Sequence, residues 1–222
     1  QVVVTLLEKG AAFGATRRLL GTSYLDVMAD LSNLAGYNAG LSLDTLAYDA
    51  LAGGTNVVFV GQASQAAITS SNIITSAVIR KEVAALRAAN VQPYEGGLYV
   101  GYIHPDNVVD IMQEATANTV VWHEPADFSD ANRRWMGEIG IYEGVRWITT
   151  PRAALIADAG ASAVDVYQTY IVGRQALAKA VDSLSRQVPE MVVSPVVDKL
   201  KRFFHYGWYQ NVGYDTFREA AC

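Results

Sequence analysis

Cysteine occurs once in the 222 residues, at the last position, Cys222, and histidine three times, at His104, His123 and His205. One thiol excludes any disulfide framework within the chain and fits a reducing compartment. Three scattered imidazoles and a terminal thiol are too few for a zinc site of ordinary ligand spacing. Charge is also scarce. Charged residues make up 18% of the chain, against ~25% in an ordinary soluble domain. That leaves more surface for contact with partners, or reflects a large core. The net charge is −5, so the basic footprint of a sequence-general nucleic-acid binder is missing. Lys199, Lys201 and Arg202 form the one evident basic cluster, and a solvated face explains it. No apolar run approaches the ~20 residues of a membrane helix, and no secretory signal opens the chain. Gly-x-Gly-x-x-Gly after a strand, Gly-Lys-Ser/Thr and Gly-x-Ser-x-Gly are all lacking. An initiator Met is lacking too, and the chain starts and stops inside patterned segments; cut ends are the expectation.

Apolar residues are abundant, at 51%, enough for one large domain or two lobes. Val2–Leu7 is β-branched and reads as a strand, and the small residues of 10–16, GAAFGAT, read as flexible. A long helix is expected over about 23–51, with Val27, Leu31, Leu34, Leu41 and Tyr48 on one face, interrupted by Asn38 and Thr45. Ser23 is its expected N-cap and Gly53-Gly54 its stop. Gly36 and Gly40 each cost it ~1 kcal/mol.

Asn56–Val60 reads as a short strand, and 73–89 as a helix built on Ala77, Ile79, Val83 and Leu86. Leu98–Ile103 is a buried-type strand running into His104-Pro105-Asp106 and a helix to Glu114. Residues 118–136 are irregular. A hairpin turns at Glu143-Gly144, where positive φ is required. Residues 153–163 read as a loop, 164–172 as a strand, 176–184 as helix or loop, 188–198 as extended, and 203–217 as an aromatic strand. Long helices with scattered strands make an α+β protein.

Two polar motifs invite a chemical reading. His104 and Asp106 offer an imidazole and a carboxylate, as a small hydrolase would need, but without a nucleophile signature. A helix entry with Pro105 in the first turn accounts for the same residues. His123-Glu124 lacks the i, i+4 spacing of a helical metal pair. Neither metal, cofactor nor catalytic residue is therefore assigned. Among the aromatics, Trp122, Trp135, Trp147, Trp208, Tyr206, Tyr209 and Phe203-Phe204 serve as core or as interface anchors.

Taken in order, several segments resemble the major capsid proteins of tailed bacteriophages, whose fold is named after phage Hong Kong 97. They are Leu41–Leu46 with Gly53–Val58, Lys81–Pro93, Tyr99–Asp106, Met136–Arg152, Val166–Arg174 and Gly207–Phe217. The resemblance implies a long spine helix, a peripheral domain (mainly 1–97, with 201–222 returning to it) and an axial domain (mainly 98–200). It implies no enzyme. Partners would be copies of the chain in hexamers and pentamers, forming an icosahedral shell around double-stranded DNA. Decoration, scaffold and portal proteins are further possible partners, and no membrane is involved. The place would be the virion capsid, assembled in the host cytoplasm. The family's N-terminal arm and extended loop precede the first strand, where this chain begins, and no residue is assigned to a covalent crosslink. The encapsulin nanocompartment shares the fold and is the alternative.

Overall fold

The structure is a computed structural model and describes residues 2–117, 135, 137–182, 188–194, 200 and 202–221. The described residues form β1 (Leu7–Thr16), α1 (Arg17–Thr22), α2 (Val27–Ala52), α3 (Ser76–Ala88), β2 (Tyr99–Ile103), α4 (Pro105–Ala117), β3 (Glu138–Tyr142), β4 (Val145–Thr149), β5 (Leu155–Ile156), β6 (Val166–Tyr167), β7 (Tyr170–Val172), β8 (Leu177–Val181), β9 (Glu190–Ser194) and β10 (Phe203–Thr216). They fall into two compact units, Gln1–Ala47 with Ala178–Asp215, and Tyr48–Leu177 with Thr216–Cys222.

The first unit is built on β10. β1 runs antiparallel to it in continuous register from Leu7↔Val212 to Thr16↔Phe203. β9 pairs with β10 from His205↔Ser194 to Tyr209↔Glu190, and β8 also joins β10. Three expectations are corrected here. Residues 10–16 are strand, not flexible chain, and 2–6 carry no regular structure. The ladder with β10 supplies the hydrogen bonds, and small residues are what the close strands tolerate: a Cβ at Gly10 would lie 2.6 Å from the Trp208 carbonyl oxygen. Residues 177–181, expected as helix or loop, are strand because β10 offers an edge.

The long helix is present as α2, 26 residues, or about 39 Å at 1.5 Å rise. Its start differs from expectation. Asp26, not Ser23, caps it, with Oδ1 accepting from the Met28 and Ala29 amides at 3.1 and 3.2 Å. Ser23 instead closes α1, its amide donating to the Leu19 carbonyl. The expected apolar face is half-buried at Val27, Leu31, Leu41 and Tyr48. Ala35 and Ala39 are the buried residues of α2, while Leu34 is 48% exposed. Ala35 and Ala39 meet Trp208, with Ala11 and Phe13 alongside. Asn38, an interruption on the sequence pattern, accepts the Trp208 Nε1 proton at 2.8 Å.

The second unit holds the larger core. Its sheet runs β3-β4-β2-β7. β2 and β4 are parallel, and the β3–β4 and β2–β7 pairs are antiparallel. Ile79, Val83 and Leu86 of α3, at the helical spacing expected, pack with Ile111 of α4 and with Tyr99, Val100, Ile103, Val145 and Trp147. The β3–β4 turn is as expected, with φ of 53° at Glu143 and 79° at Gly144. Asn56–Val60, expected as a strand, has no strand structure; the Val57 amide turns back to the Thr55 carbonyl at 3.1 Å. Within 153–163 the short β5 pairs with β6, and the strand expected over 164–172 is split into β6 and β7. The irregular segment 118–134, Met136, His123-Glu124, Lys199, Lys201 and Cys222 lie outside the described residues.

Candidate assembly surfaces

His104 stands at the end of β2 and just before α4. Its Nδ1 accepts the Asp106 amide at 3.3 Å, and its carbonyl accepts from the Asn107 and Val108 amides. The imidazole therefore caps the helix. The same Nδ1 lies 3.3 Å from Asp106 Oδ2, but a nitrogen whose lone pair takes an amide proton does not also donate to that carboxylate. Tyr167 Oη donates to Asp106 Oδ2 at 2.9 Å, and its ring lies 4.9 Å from the imidazole. The hydrogen bond to Asp106, first, and burial, second, raise the Tyr167 phenol above its usual value. A phenol held protonated is a poor nucleophile. The arrangement fastens the entry of α4 to β6. Among the described residues, no three His, Cys, Asp or Glu side chains come close enough to hold a metal ion, and no helix is long and apolar enough to cross a membrane.

A second polar cluster orients the β3–β4 hairpin. Glu138 is among the few buried polar residues. Glu138 Oε2 accepts the Trp135 amide at 2.9 Å, its Oε1 lies 3.4 Å from Arg146 Nε, and the guanidinium stacks 4.7 Å from the Trp135 ring. Burial of both charged groups makes the pair depend on this geometry.

The first unit presents a different chemistry. Its buried apolar cluster consists of Ala35, Ala39 and Trp208. Meanwhile Tyr24 is fully exposed, and Leu25 and Tyr37 are each 69% exposed. In β9, Met191, Val192 and Val193 are all exposed. Successive strand residues point to opposite faces, so both faces of β9 are left partly open by the described residues, with Met191 Cε near Gly36 of α2. β1 is an edge strand whose outer side pairs with no strand among them. Exposed apolar area on this scale marks a contact surface. Sequence reasoning named Trp208, Tyr206, Tyr209 and Phe203 as possible anchors but missed Tyr24, Leu25, Tyr37 and β9. Two adjacent large apolar residues between Ser23 and Asp26, both polar, were the available signal at the α1–α2 corner.

Compared with protein-family models, the chain matches that of the phage capsid protein over residues 10–220. The chain belongs to the phage capsid protein family. Solved structures agree on the fold, which is of the Hong Kong 97 type. The capsid of Ralstonia phage GP4 is 16% identical with a TM-score of 0.77, covering 97% of this chain and 70% of that one. The cyanophage Pam1 capsid is 18% identical at 0.64, covering 96% and 71%. A holo-encapsulin complex from Synechococcus elongatus is 10% identical at 0.63, covering 97% and 71%. Among curated proteins no sequence match was found. The chain is thus a major capsid protein.

Proposed function

We propose that this capsid protein associates with copies of itself as hexamers and pentamers, which close an icosahedral shell around double-stranded DNA. The observation carrying the reading is the set of apolar side chains that the described residues of the first unit leave exposed, Tyr24, Leu25, Tyr37 and Met191, Val192 and Val193 of β9, beside the buried Ala15, Ala35, Ala39, Trp208 and Val212. Neighbours covering those exposed residues remove apolar surface from water and so favour association. The chain does no catalysis, and the His104–Asp106 pair serves as a cap. A division into peripheral and axial parts belongs to this reading; the two compact units divide the chain at other bounds than 1–97 and 98–200, with α2 in the first unit up to residue 47 and in the second from residue 48. DNA is enclosed rather than read, consistent with the net negative charge. Scaffold, decoration and portal proteins are the remaining expected partners, no membrane is involved, and assembly takes place in the host cytoplasm.

Electron microscopy of the expressed full-length protein tests this. Capsomers and closed shells are expected; a monodisperse monomer under all conditions contradicts it. The encapsulin likeness gives a second reading, a shell around protein cargo. Shells purified from the native source that contain DNA exclude that reading, and shells that contain cargo protein replace the first.

A further inference from the structure

The second unit contains a cleft of about 890 Å³ between the irregular segment after α2, one face of α3, the start of α4 and the 164–172 segment. This is near the upper end of the ~300–1,000 Å³ typical of ligand cavities. One wall is apolar, with Val57, Val58 and Ile73 all exposed. Glu82, Asp106, Asp110 and Asp165 also line it, and among the described residues no Lys, Arg or His does. An occupant complementary to this lining presents both apolar groups and positive charge.

The strand bordering the cleft defines the shape of that occupant. β7 ends its sheet, pairing with β2 alone among the described residues. Tyr170, Ile171 and Val172 all line the cleft. Because neighbouring residues of a strand point to opposite faces, three in a row reach one cleft only when it meets the strand edge-on. On the outer edge the Gly173 amide already donates to the Ala221 carbonyl at 2.9 Å, so the N–H and C=O of Ile171 are what an extended peptide pairs with through main-chain hydrogen bonds, with side-chain alternation giving specificity. A peptide alternating apolar with Lys or Arg fits both walls at once.

We propose that the cleft binds an extended peptide segment of a partner chain, alternating apolar and basic residues, as an added strand on β7. The site lies within one subunit and does not depend on the shell reading. Protein that forms shells yet leaves the peptide unbound overturns this inference alone; protein that binds it yet never forms shells overturns the shell reading alone.

The test is fluorescence anisotropy of the purified protein with a labelled (Val-Lys)5 decapeptide. Saturation at one peptide per chain is expected, with no saturation by (Val-Glu)5. Glu82→Gln with Asp110→Asn should weaken binding about fivefold or more, through lost charge complementarity. Glu8→Gln with Asp30→Asn, which changes net charge equally at residues that do not line the cleft, should change it less than about twofold. A (Val-Lys)5 peptide N-methylated at alternate amides should lose about tenfold or more, because its edge hydrogen bonds cannot form. Equal weakening by the two double variants, equal affinity of the Glu peptide or the N-methylated peptide, or no binding of (Val-Lys)5 overturns the proposal.

Discussion

Glu114 of α4 caps α3 through Ser76: its Oε2 accepts the Ser76 amide at 2.6 Å and its Oε1 the Ser76 hydroxyl at 3.0 Å. A carboxylate at the positive end of a helix gains both charge-assisted hydrogen bonds and favourable dipole energy. The same hydroxyl accepts from Arg80 Nη2 at 3.1 Å, and Arg80 lies 3.5 Å from Glu143 at the β3–β4 turn. One carboxylate thus organises two helices and a hairpin. Glu114→Ala should lower stability by about 1–3 kcal/mol, because the Ser76 donors lose their acceptor. Glu114→Gln should recover part of the loss. Urea denaturation of the unassembled protein measures both.

Gly101 pairs with Trp147 across the parallel β2–β4 ladder. A Cβ there would run into the Trp147 ring and lie 2.8 Å from Val145 Cγ1. Trp147 is fully buried, so the core has no room to yield. Gly101→Ala should cost about 1–3 kcal/mol by overpacking, and adding Trp147→Leu should return part of it. Thermal unfolding of the single and double variants checks the coupling.

Asn38 receives the Trp208 indole proton between α2 and β10. Asn38→Leu would satisfy the helix pattern yet orphan that donor, at a cost of about 1–3 kcal/mol. Tryptophan fluorescence during denaturation reports the change directly.

High pH should loosen the second unit. Burial is the main cause that pushes the Tyr170 phenol up to about 12, and burial also raises Tyr142. A phenol whose folded value exceeds its unfolded value of ~10 binds its proton more tightly when folded. Its stabilising contribution is therefore complete below pH 10 and is lost as pH climbs from there towards 12. Tyr170→Phe should flatten the fall in stability across that window, read from denaturation midpoints at stepped pH.

Local chemistry made much of the second unit legible. The α3 spacing of Ile79, Val83 and Leu86, the His104-Pro105 helix entry and the Glu143-Gly144 turn each encode their structure within a few residues. The first unit is held by pairings across almost the whole chain, Leu7 with Val212 and Thr16 with Phe203. Small residues in β1 and the Ala-Lys-Ala of β8 therefore hid strands that only β10 creates. The best-buried positions of α2 were hidden for the same reason: Ala35 and Ala39 are buried against Trp208, and the larger Leu34 is left outside. The contact surface was the least legible part, since an exposed Leu25 or Val192 looks like any core residue until the fold shows nothing covering it.

Charges placed on that surface should separate folding from assembly. Leu25→Asp, Tyr37→Asp and Val192→Asp alter exposed positions, where substitutions cost within about 0.5 kcal/mol. Circular dichroism should be unchanged, while sedimentation shows assembly weakened or lost.

Cryo-electron microscopy of particles carrying the full-length protein tests the central claim most directly. The account predicts an icosahedral shell of hexamers and pentamers in which neighbouring subunits cover Tyr24, Leu25, Tyr37 and both faces of β9. Particles without such a shell, or a shell that leaves those residues open to solvent, would contradict it.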